Sequence, residues 1–155
     1  MATVETAKGE SLEIRKTFAA PREKVFRAWT EPEAIKQWFP PPGYEAAPTD
    51  VDLRPGGSYR WGLRKLPDGK PFWSTGTFIE VDAPRRLVYT WLWSGLPEED
   101  ATHVTIDFHD RGGKTEVVLR HDRFVDVKQR NQHEQGWKLC FDQLANYLKK
   151  EEKKS

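Results

Sequence analysis

Four histidines, one cysteine and seven tryptophans carry most of the chemistry available to this chain. A metal site needs convergent donors, and His103 and His109 share one predicted strand face but lie about 20 Å apart at roughly 3.3 Å per residue. They cannot chelate one ion. His121 and His133 flank the link into the last predicted element and can approach each other, although a structural histidine satisfied by a hydrogen-bond partner is the preferred reading. Cys140 stands alone, so it forms no internal disulfide and supplies no paired thiolates. The run Gly112-Gly113-Lys114-Thr115 imitates the end of a phosphate-binding loop, yet the required first glycine falls on Phe108 and the residues after it read as strand. A hairpin turn explains it better. No nucleophile elbow surrounds Ser74, because Phe72 stands where the first glycine belongs. No catalytic residue, metal or cofactor is therefore assigned.

The aromatic residues are the stronger signal. Tyr59, Trp61, Trp73, Tyr89, Trp91 and Trp93 fall at strand-like spacing, and Tyr and Trp each keep a polar atom that needs a partner when buried. A wall of such rings suits an aromatic or amphipathic guest. With Trp38, His121, His133, Trp137 and Phe141 they make up the predicted ligand-binding set. An ordinary aromatic core would have the same inward pattern, so a hollow and a filled interior both stay open. The string His133-Glu134-Gln135-Gly136-Trp137 puts His133 one turn before Trp137, and Gly136 is expected to let the sheet or a short helix approach the backbone closely. Packing is preferred to ligand contact there.

Composition narrows the partners. Lysine plus arginine number 25 and aspartate plus glutamate 24, so a net charge of +1 leaves no field to attract nucleic acid. Apolar runs are too short for a transmembrane segment or a secretory leader, which predicts a soluble, cytoplasmic protein with no membrane partner. Apolar residues on the opposite strand faces, Phe78, Val88, Leu92 and Val118, suggest a covered outer surface, for which a homodimer is one explanation.

Residues 1–10 read as a loose terminus, 11–150 as one domain and 151–155 as a charged tail. Leu12, Ile14 and Phe18 alternate with polar residues in a first strand, ended by Pro21. Val25, Phe26 and Trp29 mark a short helix. Thr30-Glu31-Pro32-Glu33 has the form of a capping box opening a second one, with Ala34, Ile35, Trp38 and Phe39 as its apolar stripe. Six strand-like stretches then follow between Ala46 and His121, separated by turn chemistry such as Pro55-Gly56-Gly57 and Pro67-Asp68-Gly69. The inward positions are read as Trp73, Thr75, Thr77, Ile79 and Val81; Leu87, Tyr89, Trp91 and Trp93; Val104, Ile106 and Phe108; and Val117, Leu119 and His121. Trp137, Cys140, Phe141, Leu144, Tyr147 and Leu148 give a long helix from about Lys128 to Lys150 its stripe. The expected fold is α+β, an antiparallel meander of about seven strands covered by the terminal helix.

Several stretches carry a resemblance. The stretch from Phe18 to Glu33 followed by Trp38-Phe39, then Pro55-Gly56-Gly57-Ser58-Tyr59, Glu80 to Leu87 and His133 to Trp137, resembles domains homologous to the activator of the heat-shock protein 90 ATPase. It covers about residues 12–149. The resemblance implies the START-like helix-grip fold, a curved sheet wrapped around a long C-terminal helix, shared with the major birch pollen allergen, polyketide cyclases and lipid-transfer domains. It implies three functions: a non-catalytic domain binding a small hydrophobic or aromatic ligand between sheet and helix, a co-chaperone-like module acting on a heat-shock protein 90 type ATPase, or a cyclase-type enzyme. The first is the leading expectation, and for the third only His121 with Arg123, or His133 with Glu134, offers titratable candidates.

Overall fold

The computed structural model describes residues 10–154, so expectations for residues 1–9 and for residue 155 lie outside the described residues. Strand β1 (Glu10–Phe18) is followed by helices α1 (Arg22–Thr30) and α2 (Pro32–Trp38). Six strands come next: β2 (Tyr44–Val51), β3 (Ser58–Lys65), β4 (Phe72–Asp82), β5 (Arg86–Trp93), β6 (Thr102–Asp110) and β7 (Thr115–Phe124). Helix α3 (Val127–Lys154) completes the order. The strands form one sheet in the order β1-β7-β6-β5-β4-β3-β2, with every pairing antiparallel. This is the helix-grip fold.

One sheet face is apolar because every second residue of most strands is. Leu12, Ile14, Leu87, Tyr89, Trp91, Val104, Ile106, Phe108, Val117 and Leu119 are all buried on it. Helix α3 lays Trp137, Cys140, Phe141, Leu144 and Leu148 against that face, each buried, at offsets 0, 3, 4, 7 and 11 along one helical side. Helices α1 and α2 close one end. Trp29 ties them in, with ring centroids 5.0 Å from Trp38, 6.1 Å from Phe108, 6.0 Å from Trp137 and 5.8 Å from Phe141. Each such buried ring is worth about 1.5–3 kcal/mol relative to exposure.

Three local expectations are corrected. Thr30 opens no capping box, since it still belongs to α1 and its hydroxyl donates back to the Phe26 carbonyl at 2.9 Å; Glu31 caps α2 with no side-chain bond. The capped start is instead that of α3, where Asp126 Oδ1 accepts the Gln129 backbone N–H at 2.8 Å and Gln129 Oε1 accepts that of Val125 at 3.1 Å.

Strand β4 does not alternate as one unit. Thr75 pairs with Leu92 and Phe78 with Tyr89, but Glu80 pairs with Val88, so Ile79 is an extra, bulged residue, 48% exposed. Before the bulge the even positions Ser74, Gly76 and Phe78 face inward, and after it Val81 does. Trp73 consequently lies on the outer face, its Nε1 donating to the Pro48 carbonyl at 2.8 Å with the Arg60 guanidinium 5.4 Å from its ring. Phe78, expected outside, is buried between Tyr59 and Tyr89. Val88, Leu92 and Val118 do lie on the outer side, half-buried.

The third correction concerns Gly136. A Cβ built there meets nothing within 4 Å, so no element approaches the helix at that point.

The small inward residues of β4 have their own role. Across Ser74 and Gly76 the rings of β3 reach those of β5, with Tyr59 5.2 Å from Tyr89 and Trp61 5.9 Å from Trp91. Tyr59 Oη passes over Gly76 to donate to the Thr90 carbonyl at 2.6 Å. A methyl group at Gly76 would collide with that carbonyl and with the Tyr59 ring. Gly76→Ala should therefore lower the unfolding free energy by about 1–3 kcal/mol in urea titration. An unchanged midpoint would contradict the close passage of Tyr59.

Candidate functional site

A cleft of about 440 Å³ opens where the C-terminal end of β5 and strand β3 face the first half of α3. Leu63, Trp91 and Trp93 form its sheet wall, Phe39 and Pro41 its end beyond α2, and Gln129, Gln132, His133, Gly136, Trp137, Leu139 and Cys140 its helix wall. Those helix residues share one side because Gln129, then Gln132 and His133, then Gly136 and Trp137, then Leu139 and Cys140 follow one another in steps of three and four. No Asp, Glu, Lys or Arg lines the cleft. Among the described residues no group of His, Cys, Asp and Glu is placed to hold a metal ion.

The polar atoms of the walls are mostly committed to one another. Trp137 Nε1 donates to His121 Nδ1 at 3.0 Å, and because an indole only donates, that histidine nitrogen carries no proton. His121 Nε2–H then faces Thr102 Oγ1 at 2.6 Å, whose own proton goes to the Trp91 carbonyl at 3.1 Å. A second indole behaves likewise. Trp93 Nε1 donates to His133 Nε2 at 3.1 Å, which leaves His133 Nδ1–H to donate to the Gln129 carbonyl at 2.9 Å. The two histidines are thus neutral but of opposite tautomer, with ring centroids 5.3 Å apart and Phe124 against both. The indole N–H groups of Trp61 and Trp91 are buried with no partner among the described residues.

Burial sets the protonation states. It holds His121 well below the usual histidine range, with the charges that His133 and His103 could carry acting in the same direction. It lowers His133 too, against a smaller opposing effect of the Gln129 carbonyl. The Cys140 thiol is pushed up to about 12 by burial, so it is no thiolate nucleophile at neutral pH.

Of the sequence-predicted set, Trp91, Trp93, His133 and Trp137 come together at the cleft. Trp38, Tyr59, Trp61, Tyr89 and Phe141 are buried in the ring-packed core, His121 lies at 0% exposure behind Trp137, and Trp73 is on the outer sheet face. The cleft also uses residues outside that set: Phe39, Pro41, Leu63, Gln129, Gln132, Leu139 and Cys140, together with Gly136, for which sequence reasoning prefers packing to ligand contact. Extending the helical period upstream of Trp137 would have found Gln129, Gln132 and Gly136. Phe39, Pro41 and Leu63 join only through the tertiary fold.

The neutral histidines make a prediction about pH. Below about 6.5 an unfolded chain protonates histidines that the folded state keeps neutral, so the unfolded state binds more protons and stability rises with pH in that range. Unfolding free energy from urea titrations should be level near pH 7–8 and fall below about pH 6.5, by up to about 1.4 kcal/mol per pH unit for each histidine. His121→Asn should flatten this slope whatever it does to absolute stability. An unaltered slope in that variant would show that His121 is not held neutral by the fold.

Comparison with known proteins places this geometry. The family described as activator of Hsp90 ATPase homolog 1-like protein matches residues 19–149. The human activator of 90 kDa heat shock protein ATPase homolog 1 is 22% identical over 128 residues, which are 83% of this chain and 33% of that protein; the mouse protein matches equally. The chain thus spans about a third of the length of these curated relatives. Among solved structures, a Nitrosomonas europaea protein superposes with a TM-score of 0.77 at 30% identity, covering 92% of this chain and 96% of that one. A Chromobacterium violaceum protein gives 0.79 at 23% identity, covering 88% and 95%. The AHSA1-like protein from Aeromonas hydrophila gives 0.76 at 25%, covering 90% and 92%. With most of its length matched by the family and its strands and helices in the same arrangement, this chain belongs to the activator of Hsp90 ATPase homolog 1-like family, on the START-like helix-grip fold.

Proposed function

We propose that this domain binds a small, uncharged, apolar or aromatic molecule in the cleft between the sheet and α3. The observation that carries the reading is a cleft of about 440 Å³ walled by Phe39, Trp91, Trp93 and Trp137 with no charged side chain in its lining. That volume falls in the range of small-molecule sites, roughly 300–1,000 Å³. Because the N–H groups of Trp93 and Trp137 are spent on histidines, these indoles offer a guest ring faces and edges. A charged guest would give up its hydration for walls that hold no counter-charge, which disfavours ions.

The similarity to the human and mouse activators supports a second reading, in which the domain contacts a heat-shock protein 90 type chaperone through its surface. The two readings separate by experiment. Native mass spectrometry of freshly purified protein and a titration with N-phenyl-1-naphthylamine, a neutral aromatic fluorophore, test the first. The expected result is a saturable signal that Trp93→Ala weakens by about tenfold. A response that never saturates, together with no co-purifying mass, would sink ligand binding. Stimulation of the chaperone's ATPase by the intact domain, undiminished in Trp93→Ala, would move the function to the outer surface.

A further inference from the structure

Every described glycine but one has a structural reason. Gly43, Gly56, Gly95, Gly112 and Gly113 adopt positive φ, which side chains rarely tolerate. At Gly57, Gly62, Gly69 and Gly76 a Cβ would collide with backbone atoms of Asp52, Pro48, Lys65 and Thr90 respectively. Gly136 has neither reason. It lies in the interior of α3, at helical φ, and a Cβ there meets nothing within 4 Å. Glycine inside a helix is destabilising relative to alanine, because it gives up more backbone freedom on folding. At Gly136 no packing contact offsets that loss.

What the missing side chain leaves is space, and its position says what the space is for. On a helix surface the neighbours of a residue are those three and four positions away. For Gly136 these are Gln132, His133, Leu139 and Cys140, and all four line the cleft, as does the glycine. Bare backbone therefore sits at the centre of the helix wall. Across the cleft stand the indoles of Trp91 and Trp93. A notch of backbone faced by flat rings matches a flat guest, whose edge can reach the helix where a side chain would hold it away.

We infer that Gly136 is a specificity-determining residue: its bare backbone is the floor on which a flat aromatic guest rests, and a side chain there would take the guest's place. This inference rests on the reading of the cleft as a binding site for a neutral aromatic molecule. Gly136→Ala, Gly136→Leu and Gln135→Leu test it together. Gln135 is the exposed neighbour outside the lining, so Gln135→Leu adds the same apolar group to the helix without entering the cleft. Thermal melting and N-phenyl-1-naphthylamine titration are the readouts. Gly136→Ala should melt roughly 2–4 °C higher yet bind the probe more weakly. Gly136→Leu should weaken probe binding on the order of tenfold, and Gln135→Leu should leave it unchanged. If the wild type binds the probe and both Gly136 variants bind it as tightly, the inference is overturned while the binding reading stands. If the wild type itself gives no saturable binding, both are overturned.

Discussion

The hydrogen bond from Trp137 to His121 fixes how the long helix meets the sheet. Trp137 is the first large ring of the buried stripe of α3, and His121 sits at 0% exposure on β7. The bond continues through Thr102 on β6 to the backbone of Trp91 on β5, so one directed chain runs from the helix across three adjacent strands. Direction matters here. An indole can only donate and a carbonyl only accept, so each link dictates the proton position of the next. Moving the His121 proton from Nε2 to Nδ1 would face an indole N–H with an N–H and orphan a buried group, at about 1–3 kcal/mol. Helix rotation and histidine tautomer are therefore set by the same constraint.

The same kind of directed bond recurs at two more of the buried indoles, whereas those of Trp61 and Trp91 have no partner among the described residues. Trp29 donates to Tyr89 Oη at 3.2 Å and Trp38 to the Ala28 carbonyl at 2.8 Å, which links α1 to β5 and α2 to α1. A ring-rich interior could slide among many packings of similar density, but an N–H that must find one acceptor selects among them. The charged groups hold the outside instead. Glu13, Arg15, Arg111, Glu116 and Arg120 form a linked set over β1 and β7, and its exposure limits what each pair contributes.

Elements whose own period decides their burial were legible from sequence. The stripe from Trp137 to Leu148 and the alternation in β5, β6 and β7 placed α3 and the inner sheet face because nothing interrupts those periods. Strand β4 misled because its bulge at Ile79 exchanges the two faces midway, and no residue type at that point signals an extra position. Thr30 misled for a different reason: a threonine with glutamate three residues on can cap the next helix or bond back into its own, and α1 claimed it. The cap at Asp126 and Gln129 had the same sequence form and was passed over. At the site, strand and helix periods brought out Trp91, Trp93, His133 and Trp137, whereas Phe39 and Pro41 depend on how the chain leaves α2, which no local pattern encodes. Gly136 was visible as a letter, but whether a glycine marks close approach or open space is decided by what lies opposite.

A cleft beside so many rings raises the question of why it stays open. Collapse would recover dispersion and apolar burial, and a side chain free to rotate would move to do so. The walls lack that freedom. Swinging Trp93 inward breaks its bond to His133, and moving Trp137 breaks the chain through His121 to Trp91. Leu63 and Phe39 are held from behind, one by its strand and the other by rings of Trp38, Trp61 and Trp91 at 4.9–6.2 Å. To fill the space Trp93 and Trp137 would first surrender those hydrogen bonds, and Gly136 in the helix wall has no side chain to offer. The hydrogen bonds that direct the packing of Trp93 and Trp137 thus also oppose collapse of the cleft, which would lower the ordering cost of the binding proposed for it.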